Sequence, residues 1–235
     1  MASGNKKNHK NKKQQQNTRA MKILLAIACC VTVIGVVGII VTTILENRNT
    51  VSTGSAETKE LAASADDLHV TDYAVIEIEK YGTIRVALDA DIAPITVANF
   101  KKLAEAGFYN GLTFHRIMDG FMMQGGDPNG DGTGGSDEKI KGEFSANGVE
   151  NRISHVRGAI SMARSSANDS ASSQFFIVQS DSTFLDGQYA GFGFVTEGMD
   201  IVDQICKDAK PTDGNGSIAS DAQPVIKTVT IEAAE

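Results

Sequence analysis

The chain has 235 residues, 41% of them hydrophobic, and a net charge of −7 that is unevenly distributed. Residues 1–22 carry seven basic and no acidic side chains, which leaves 15 basic and 29 acidic residues, a net charge of −14, for the rest of the chain. This strongly acidic remainder argues against nucleic acid as the main partner. The length allows one or two domains.

An uncharged apolar run follows the basic tail, from Ile23 to Leu45. It is long enough to cross a bilayer core of about 30 Å, and longer than the roughly 7–15 apolar residues of a cleavable signal peptide. It therefore predicts a retained transmembrane helix. The basic residues before it favour a cytoplasmic N terminus and an extracytoplasmic domain. A lipoprotein signal ending at Cys29 or Cys30 is an alternative that the sequence leaves open.

Residues 46–71 are polar and lack a sustained apolar period, which predicts a flexible tether, with a short helix around residues 57–63. The folded domain is expected to span residues 72–235. Cys206 is the one cysteine after the apolar run, so no disulfide is expected within this domain, and its position on a helical apolar face predicts a buried thiol. The basic tail and single anchor favour a protein of the cell membrane in a bacterial setting.

Short strands dominate the pattern of the domain. The first segment predicts a β-hairpin that turns near Tyr81-Gly82. A helix is predicted next, with Pro94 in its first turn and Gly107 at its C-terminal cap. Later segments predict a strand at 158–163, a strand at 174–180, a strand at the end of FLDGQYAGFGFV, a helix in GMDIVDQICKD and a final strand in VIKTVTIE. Many short strands with two helices indicate a mainly β barrel or sandwich with helices attached.

The central stretch runs from Phe114 to Asp127 and reads FHRIMDGFMMQGGD. Because successive side chains of a strand point to opposite faces, Phe114 shares a face with Arg116, and Met122 shares one with Gln124. A guanidinium, a thioether and an amide beside aromatic rings suit a groove for an apolar peptide segment.

The domain resembles the cyclophilin-type peptidyl-prolyl cis–trans isomerases. The similarity extends in order through FHRIMDGFMMQGGD, DGTGG, GAISMA, SQFFIV, FLDGQYAGFG and EGMDIVD. It implies a closed eight-stranded antiparallel β-barrel capped by two helices. It also implies an enzyme, acting as a monomer without cofactor or metal, that rotates X–Pro bonds in proline-containing polypeptides and so assists protein folding. A non-catalytic proline-peptide binding module or chaperone with the same groove is the alternative.

The resemblance also assigns site residues. Arg116 matches the catalytic arginine, and Phe121 and Gln124 complete the expected catalytic set. The residues expected to contact substrate are Met122, Gly132, Ala163, Arg164, Gln174, Phe176, Phe184, Leu185 and Tyr189. Three of them depart from the family pattern. Phe184 stands where many eukaryotic relatives have tryptophan, which predicts weak cyclosporin binding. Tyr189 replaces histidine, and Arg164 replaces the commoner asparagine.

Two further patterns have simpler interpretations. Residues 127–138 satisfy the calcium-loop spacing D-x-N-x-D-G-x5-E, but the flanking sequences do not read as amphipathic helices, so calcium binding is not expected. His115 and His155 are expected to be structural, since no metal-spaced cluster or nucleophile motif accompanies them.

Overall fold

The computed structural model describes residues 60–234. The basic tail, the apolar run 23–45 and most of the predicted tether lie outside the described residues. Within residues 60–234, no helix is long and apolar enough to cross a bilayer.

Eight antiparallel strands form one curled sheet, and two helices pack against it. The strands are β1 (Asp72–Ile78), β2 (Gly82–Leu88), β3 (Thr113–Met118), β4 (Met122–Asp127), β5 (Ala159–Met162), β6 (Phe175–Val178), β7 (Gly191–Glu197) and β8 (Ile226–Ala233). Their order across the sheet is β3-β4-β6-β5-β7-β2-β1-β8. The helices are α1 (Pro94–Glu105), which lies against β8, and α2 (Met199–Asp208), which lies against β2.

The predicted closed barrel is wrong in one respect, because the sheet is open between its edge strands β3 and β8. β8 pairs with β1 along its length, and only the single bridge Thr113–Val225 joins β3 to the residues just before β8. The loop before β8 takes up the free edge of β3 instead. The N–H of Ile117 donates to the carbonyl of Gly216 at 2.8 Å, and the N–H of Ile218 donates to the carbonyl of His115 at 2.9 Å. These bonds satisfy backbone groups that a closing strand would otherwise pair.

Local sequence explains the first elements. β1 alternates buried and half-buried side chains and pairs with β2, so the predicted hairpin is confirmed. Helix α1 begins at Pro94, whose fixed φ suits the first turn. Its N-terminal donors are satisfied from a distant residue, since the buried carboxylate of Glu143 accepts hydrogen bonds from the N–H groups of Ile95 at 3.0 Å and Thr96 at 2.8 Å. The buried face of α1 comprises Thr96, Val97, Asn99, Phe100, Leu103 and Ala104.

Residues 60–71 form a strap along the domain surface rather than a free tether. Ala62 is fully buried, its N–H donates to the carbonyl of Arg152 at 2.7 Å, and its carbonyl accepts from Ser154 N–H at 2.9 Å. A 3-10 helix follows at Ala65–Asp67, whereas residues 60–63 of the predicted short helix are not helical. The folded domain therefore begins before residue 72, because the strap buries apolar side chains against the domain.

Cys206 lies on the buried face of α2 with 2% of its surface exposed, as predicted. Burial raises the pKa of its thiol to about 12. The thiolate is therefore scarce at neutral pH, and the thiol is a packing group.

Candidate functional site

The β3–β4 hairpin carries the polar side chains of the site. Arg116 lies opposite Gln124 in the register, and Met118 lies opposite Met122. The turn between the strands contains Gly120 at φ +78°, a conformation that favours glycine. Each of these four pairing residues is at least partly buried. The register places a guanidinium, an amide and two thioethers on adjoining positions.

Arg116 is fixed from several directions. Its Nε donates to the main-chain oxygen of Asn215 at 2.8 Å, and its Nη1 donates to Oε1 of Gln124 at 3.3 Å. The thioether sulfurs of Met118 and Met122 lie 3.3 Å from Nη2 and 3.7 Å from Nη1. Partial burial lowers the pKa of the guanidinium from its usual value, and the nearby Tyr189 hydroxyl and Asp213 oppose that shift. An arginine remains charged under such a shift.

A cavity of about 180 Å³ opens beside this guanidinium. It is lined by Arg116, Phe121, Met122, Gln124, Ala163, Arg164, Phe176, Leu185 and Tyr189. Pockets for whole small molecules measure about 300–1,000 Å³, so this space suits one compact side chain. The structure therefore brings nine of the twelve sequence-predicted site residues to one cavity. We call it the ring cavity.

A buried histidine, His155, supports the wall of the ring cavity, in keeping with the structural role expected from the sequence. His155 Nδ1 lies 2.9 Å from Oδ1 of Asp186, which adjoins Leu185, and Nε2 lies 3.1 Å from Oγ of Ser161. Its ring stacks on Phe176 with centroids 6.0 Å apart. Burial lowers the pKa of His155 despite the Asp186 carboxylate, so the ring is neutral at pH 7. His155 therefore positions the wall and is poorly suited to carry a proton there.

A second cavity of about 320 Å³ adjoins the ring cavity and shares three of its residues, Gln124, Ala163 and Arg164. Gly132 and Gln174 line this second space rather than the first. Gln174 links the two cavities because its Oε1 accepts a hydrogen bond from Nε2 of Gln124 at 2.9 Å. Its own Nε2 donates to the carbonyl of Gly134 at 2.7 Å. We call this space the flanking cavity.

A third cavity of about 580 Å³ is also lined by Arg116, Gln124 and Gly132. His115 forms part of its wall and is 5% exposed, and burial lowers the pKa of this ring. The three cavities therefore adjoin one another around Gln124, which lines all three.

Phe184 is the predicted site residue that lines none of these spaces. It is 67% exposed, and its ring centroid lies 5.7 Å from that of Phe121 at the rim of the ring cavity. Asn215, whose carbonyl accepts a hydrogen bond from Arg116, is a site residue that the sequence motifs do not predict. The Asp-Gly-Asn-Gly run at 213–216 marks a turn and is the signal that could have drawn attention to it.

The calcium-type spacing belongs to a loop with other hydrogen bonds. The Asp127 carboxylate accepts N–H groups from Asn129 at 2.9 Å and from Gly132 at 2.6 Å. Glu138, the last position of the pattern, pairs with Lys102 at 2.6 Å. The residues before the loop form strand β4 rather than a helix. These carboxylates are thus engaged with backbone and lysine.

Comparison with known proteins relates the chain to a protein family. The family model of the cyclophilin-type peptidyl-prolyl cis-trans isomerases matches residues 73–235. A peptidyl-prolyl cis-trans isomerase of Helicobacter pylori is 44% identical over 142 residues, which cover 60% of this chain and 83% of that protein. Peptidyl-prolyl cis-trans isomerase B of Bacillus subtilis is 46% identical over 124 residues, covering 53% of this chain and 83% of the relative.

A solved structure is also similar. A Cryptosporidium parvum cyclophilin-type isomerase, crystallised in the presence of the dipeptide Ala-Pro, superposes with a TM-score of 0.60 at 28% identity, covering 69% of this chain and 99% of that one. The match of the family model over most of the chain, the identities to bacterial isomerases and the shared fold agree. The chain belongs to the family of cyclophilin-type peptidyl-prolyl cis-trans isomerases.

Proposed function

We propose that Arg116 accelerates rotation about X–Pro bonds by donating to the prolyl nitrogen while the proline ring occupies the ring cavity. The observation that carries this proposal is that Asn215 fixes the Nε side of the guanidinium while Nη1 lies at the cavity wall beside Gln124 and Met122. Amide resonance sets a barrier of about 18–20 kcal/mol to this rotation. The twisted bond regains a localised lone pair on nitrogen, so a donor aimed there binds the transition state better than either planar form.

The partners of Arg116 suit such a donor. Thioether sulfurs are weak acceptors, so exchanging the contact of Nη1 with Met122 for one with a prolyl nitrogen costs little. The guanidinium carbon lies 5.9 Å from the centroid of the Phe121 ring, and this cation–π contact helps to hold the guanidinium in position. Phe176 and Leu185 supply apolar contacts that exclude water and strengthen the hydrogen bond. No bond is broken, so the reaction requires no proton transfer.

The test is the cis–trans exchange rate of an Ala-Pro peptide, followed by NMR, with the unmodified protein and Arg116→Ala. We expect a loss of roughly two orders of magnitude in kcat/KM, by analogy with removal of a preorganised transition-state donor. Arg116→Lys should restore little, because an ammonium cannot copy the planar fork. Arg85→Ala, which removes an arginine paired with Glu232 outside the three cavities, is the matched control and should retain the rate. A folded and fully active Arg116→Ala protein would refute the mechanism.

We further infer that the domain is a monomer that acts on unfolded or flexible chains outside the cytoplasmic membrane, held there by residues 23–45. This proposal rests on seven basic residues before an uncharged run of 23 residues. Protease added to spheroplasts should digest the domain or release it from the membrane. Protection until the membrane is lysed would show the opposite orientation. Recovery of the protein in the soluble fraction without protease would show that residues 23–45 do not anchor it.

A further inference from the structure

The walls of the ring and flanking cavities carry an unusual balance of charge. Three cations contribute to them, Arg116, Lys139 and Arg164, and neither cavity is lined by an aspartate or glutamate. The rest of the chain outside its basic tail has a net charge of −14. These two cavities are therefore locally cationic on an otherwise acidic chain, whereas the third cavity is lined by Asp131.

Arg164 is held in a fixed orientation between these two cavities. Its Nε donates to the carbonyl of Gln188 at 2.9 Å, and its Nη1 donates to the carbonyl of Ser165 at 2.9 Å. The guanidinium carbon lies 4.9 Å from the ring centroids of both Phe144 and Tyr189. A guanidinium already ordered by stacking and backbone contacts loses little further freedom when it binds an anion.

The charge of Arg164 is also uncompensated within the described part of the chain. No carboxylate of residues 60–234 forms an ion pair with it, and its Nη2 has no hydrogen-bond partner among them. Lys139, on the wall of the flanking cavity, is exposed and likewise forms no ion pair with the described carboxylates. Two cations that converge on one cavity without a protein partner attract an anion from outside.

The remaining lining defines what kind of anion fits. Thr133, Ser136, Ser170 and Ser172 line the flanking cavity, and glycines form part of the rest of its wall. The hydroxyls of Thr133, Ser136 and Ser170 donate to Asp131, to the carbonyl of Glu138 and to the carbonyl of Ala167, whereas the Ser172 hydroxyl has no hydrogen-bond partner within residues 60–234. Hydroxyls can donate to a carboxylate that an arginine also binds. The flanking cavity adjoins the ring cavity through Gln124, Ala163 and Arg164. An extended chain advances about 3.3 Å per residue, so the three residues on one side of the proline extend over about 10 Å.

We propose that the flanking cavity selects client chains that carry an aspartate or glutamate within about three residues of the proline, with Arg164 as the specificity-determining residue and Lys139 as a supporting charge. The inference rests on the proposed use of the ring cavity for proline. It names a class of substrate that the activity alone does not, namely acidic proline-containing segments.

The experiment measures exchange rates for peptides that contain one Ala-Pro bond, with Glu, Gln or Lys placed in turn at each of the three positions on either side. The full-length protein in detergent is used throughout. At one position at least, Glu should give a kcat/KM about fivefold above Gln, as expected for roughly 1 kcal/mol from an ion pair near the surface. Lys should fall below Gln there, and raising the salt from about 0.01 to about 1 M should reduce the difference through screening.

Variants locate the charge that is responsible. Arg164→Glu should invert the Glu-to-Lys ratio, and Arg164→Lys should retain part of the preference, since it keeps the charge and loses the fork. The ratio between peptides is the readout, so a general loss of rate in a variant does not obscure it. Lys80→Gln is the matched control, because Lys80 is exposed and lines none of the three cavities. Its Glu-to-Lys ratio should equal that of the unmodified protein.

The outcomes separate this inference from the proposed function. Equal rates for Glu, Gln and Lys at every position, in a protein that isomerises the reference peptide, would overturn the inference and leave the function standing. A preference for Glu that Arg164→Glu does not change would also overturn it. Failure to accelerate any peptide would contradict the proposed function itself.

Discussion

Arg116 donates a hydrogen bond through Nε to the main-chain oxygen of Asn215, at 2.8 Å and across 99 residues of sequence. The bond joins strand β3 to the loop that covers its free edge. Because the acceptor is a backbone carbonyl, its position depends on the turn that contains it rather than on the side chain of Asn215.

Gly216 provides a way to move that carbonyl. It has φ +88°, and a Cβ atom there would lie 2.5 Å from Cγ of Met118 and 2.8 Å from the carbonyl oxygen of Ile117. Gly216→Ala must therefore shift the turn away from Arg116. We expect kcat/KM to fall about tenfold, the equivalent of roughly 1.4 kcal/mol of transition-state stabilisation. Gly214→Ala is the control, since a Cβ there meets nothing within 4 Å. Equal rates for the two variants would contradict the role of the turn.

Stability and activity should respond differently to acid. Burial lowers the pKa of both His115 and His155. Unfolded histidines, with a pKa near 6.5, then bind protons that the folded ones do not. The stability that the neutral buried rings provide is therefore fully present above about pH 6.5. The free energy of unfolding decreases as the pH falls below that value, because protons then favour the unfolded chain. The exchange rate of the reference peptide should stay nearly flat from about pH 6 to 8, because arginine does not titrate there.

Urea unfolding at pH 7.5 and 5.5 measures that difference. Replacing both His115 and His155 by glutamine should reduce it. Unfolding free energies of the unmodified protein that do not decrease between these two pH values would show that the buried rings are not the source.

Cyclosporin should inhibit weakly. Phe184 offers no N–H at the exposed rim of the ring cavity, where the family resemblance implies a tryptophan in cyclosporin-sensitive relatives. A missing donor opposite a buried acceptor costs about 1–3 kcal/mol. Phe184→Trp should therefore strengthen inhibition by at least about fivefold in a titration of the exchange rate. Nanomolar inhibition of the unmodified protein would contradict this expectation.

The strap should contribute to stability. A variant that begins at residue 72 lacks the hydrogen bonds that Ala62 makes to Arg152 and Ser154, and it uncovers the cluster around Ile153. We expect its free energy of unfolding to be about 2–4 kcal/mol lower than that of a variant that begins at residue 60, from lost hydrogen bonds and exposed apolar surface. Urea titrations of the two proteins make the comparison. Indistinguishable midpoints would show that the strap is held without stabilising the domain.

Local patterns made most elements predictable from sequence. The β1–β2 hairpin, α1 and α2 follow from alternation, from Pro94 and from apolar spacing, and the structure confirms them. The ring cavity could be expected because its residues occur in blocks that resemble a known family. What could not be predicted depends on main-chain atoms or on distant partners. The carbonyl of Asn215 is a main-chain group, so the residue type at position 215 does not predict its contact with Arg116. Glu143 caps a helix that begins 49 positions earlier in the sequence.

The open sheet was missed for a related reason. Periodicity identifies strands but does not reveal which backbone groups cover an edge. Here the loop residues 216–218 pair with β3, and β8 pairs with β1. The strap was missed because its polar composition is typical of linkers, and a single buried alanine, Ala62, gives no periodic signal.

The strap also determines how the domain would respond to mechanical force. A pull on the chain at residue 60 is borne first by the backbone bonds of Ala62, which join it to Arg152 and Ser154. Ser154 in turn donates through Oγ to Asp186 at 2.9 Å, beside the wall of the ring cavity. Tension between residue 60 and a client chain bound in the ring cavity would thus reach the wall that His155 and Asp186 hold. Optical-trap extension of the domain from residue 60, with and without a proline peptide, would reveal this as a ligand-dependent rupture force for the first unfolding step.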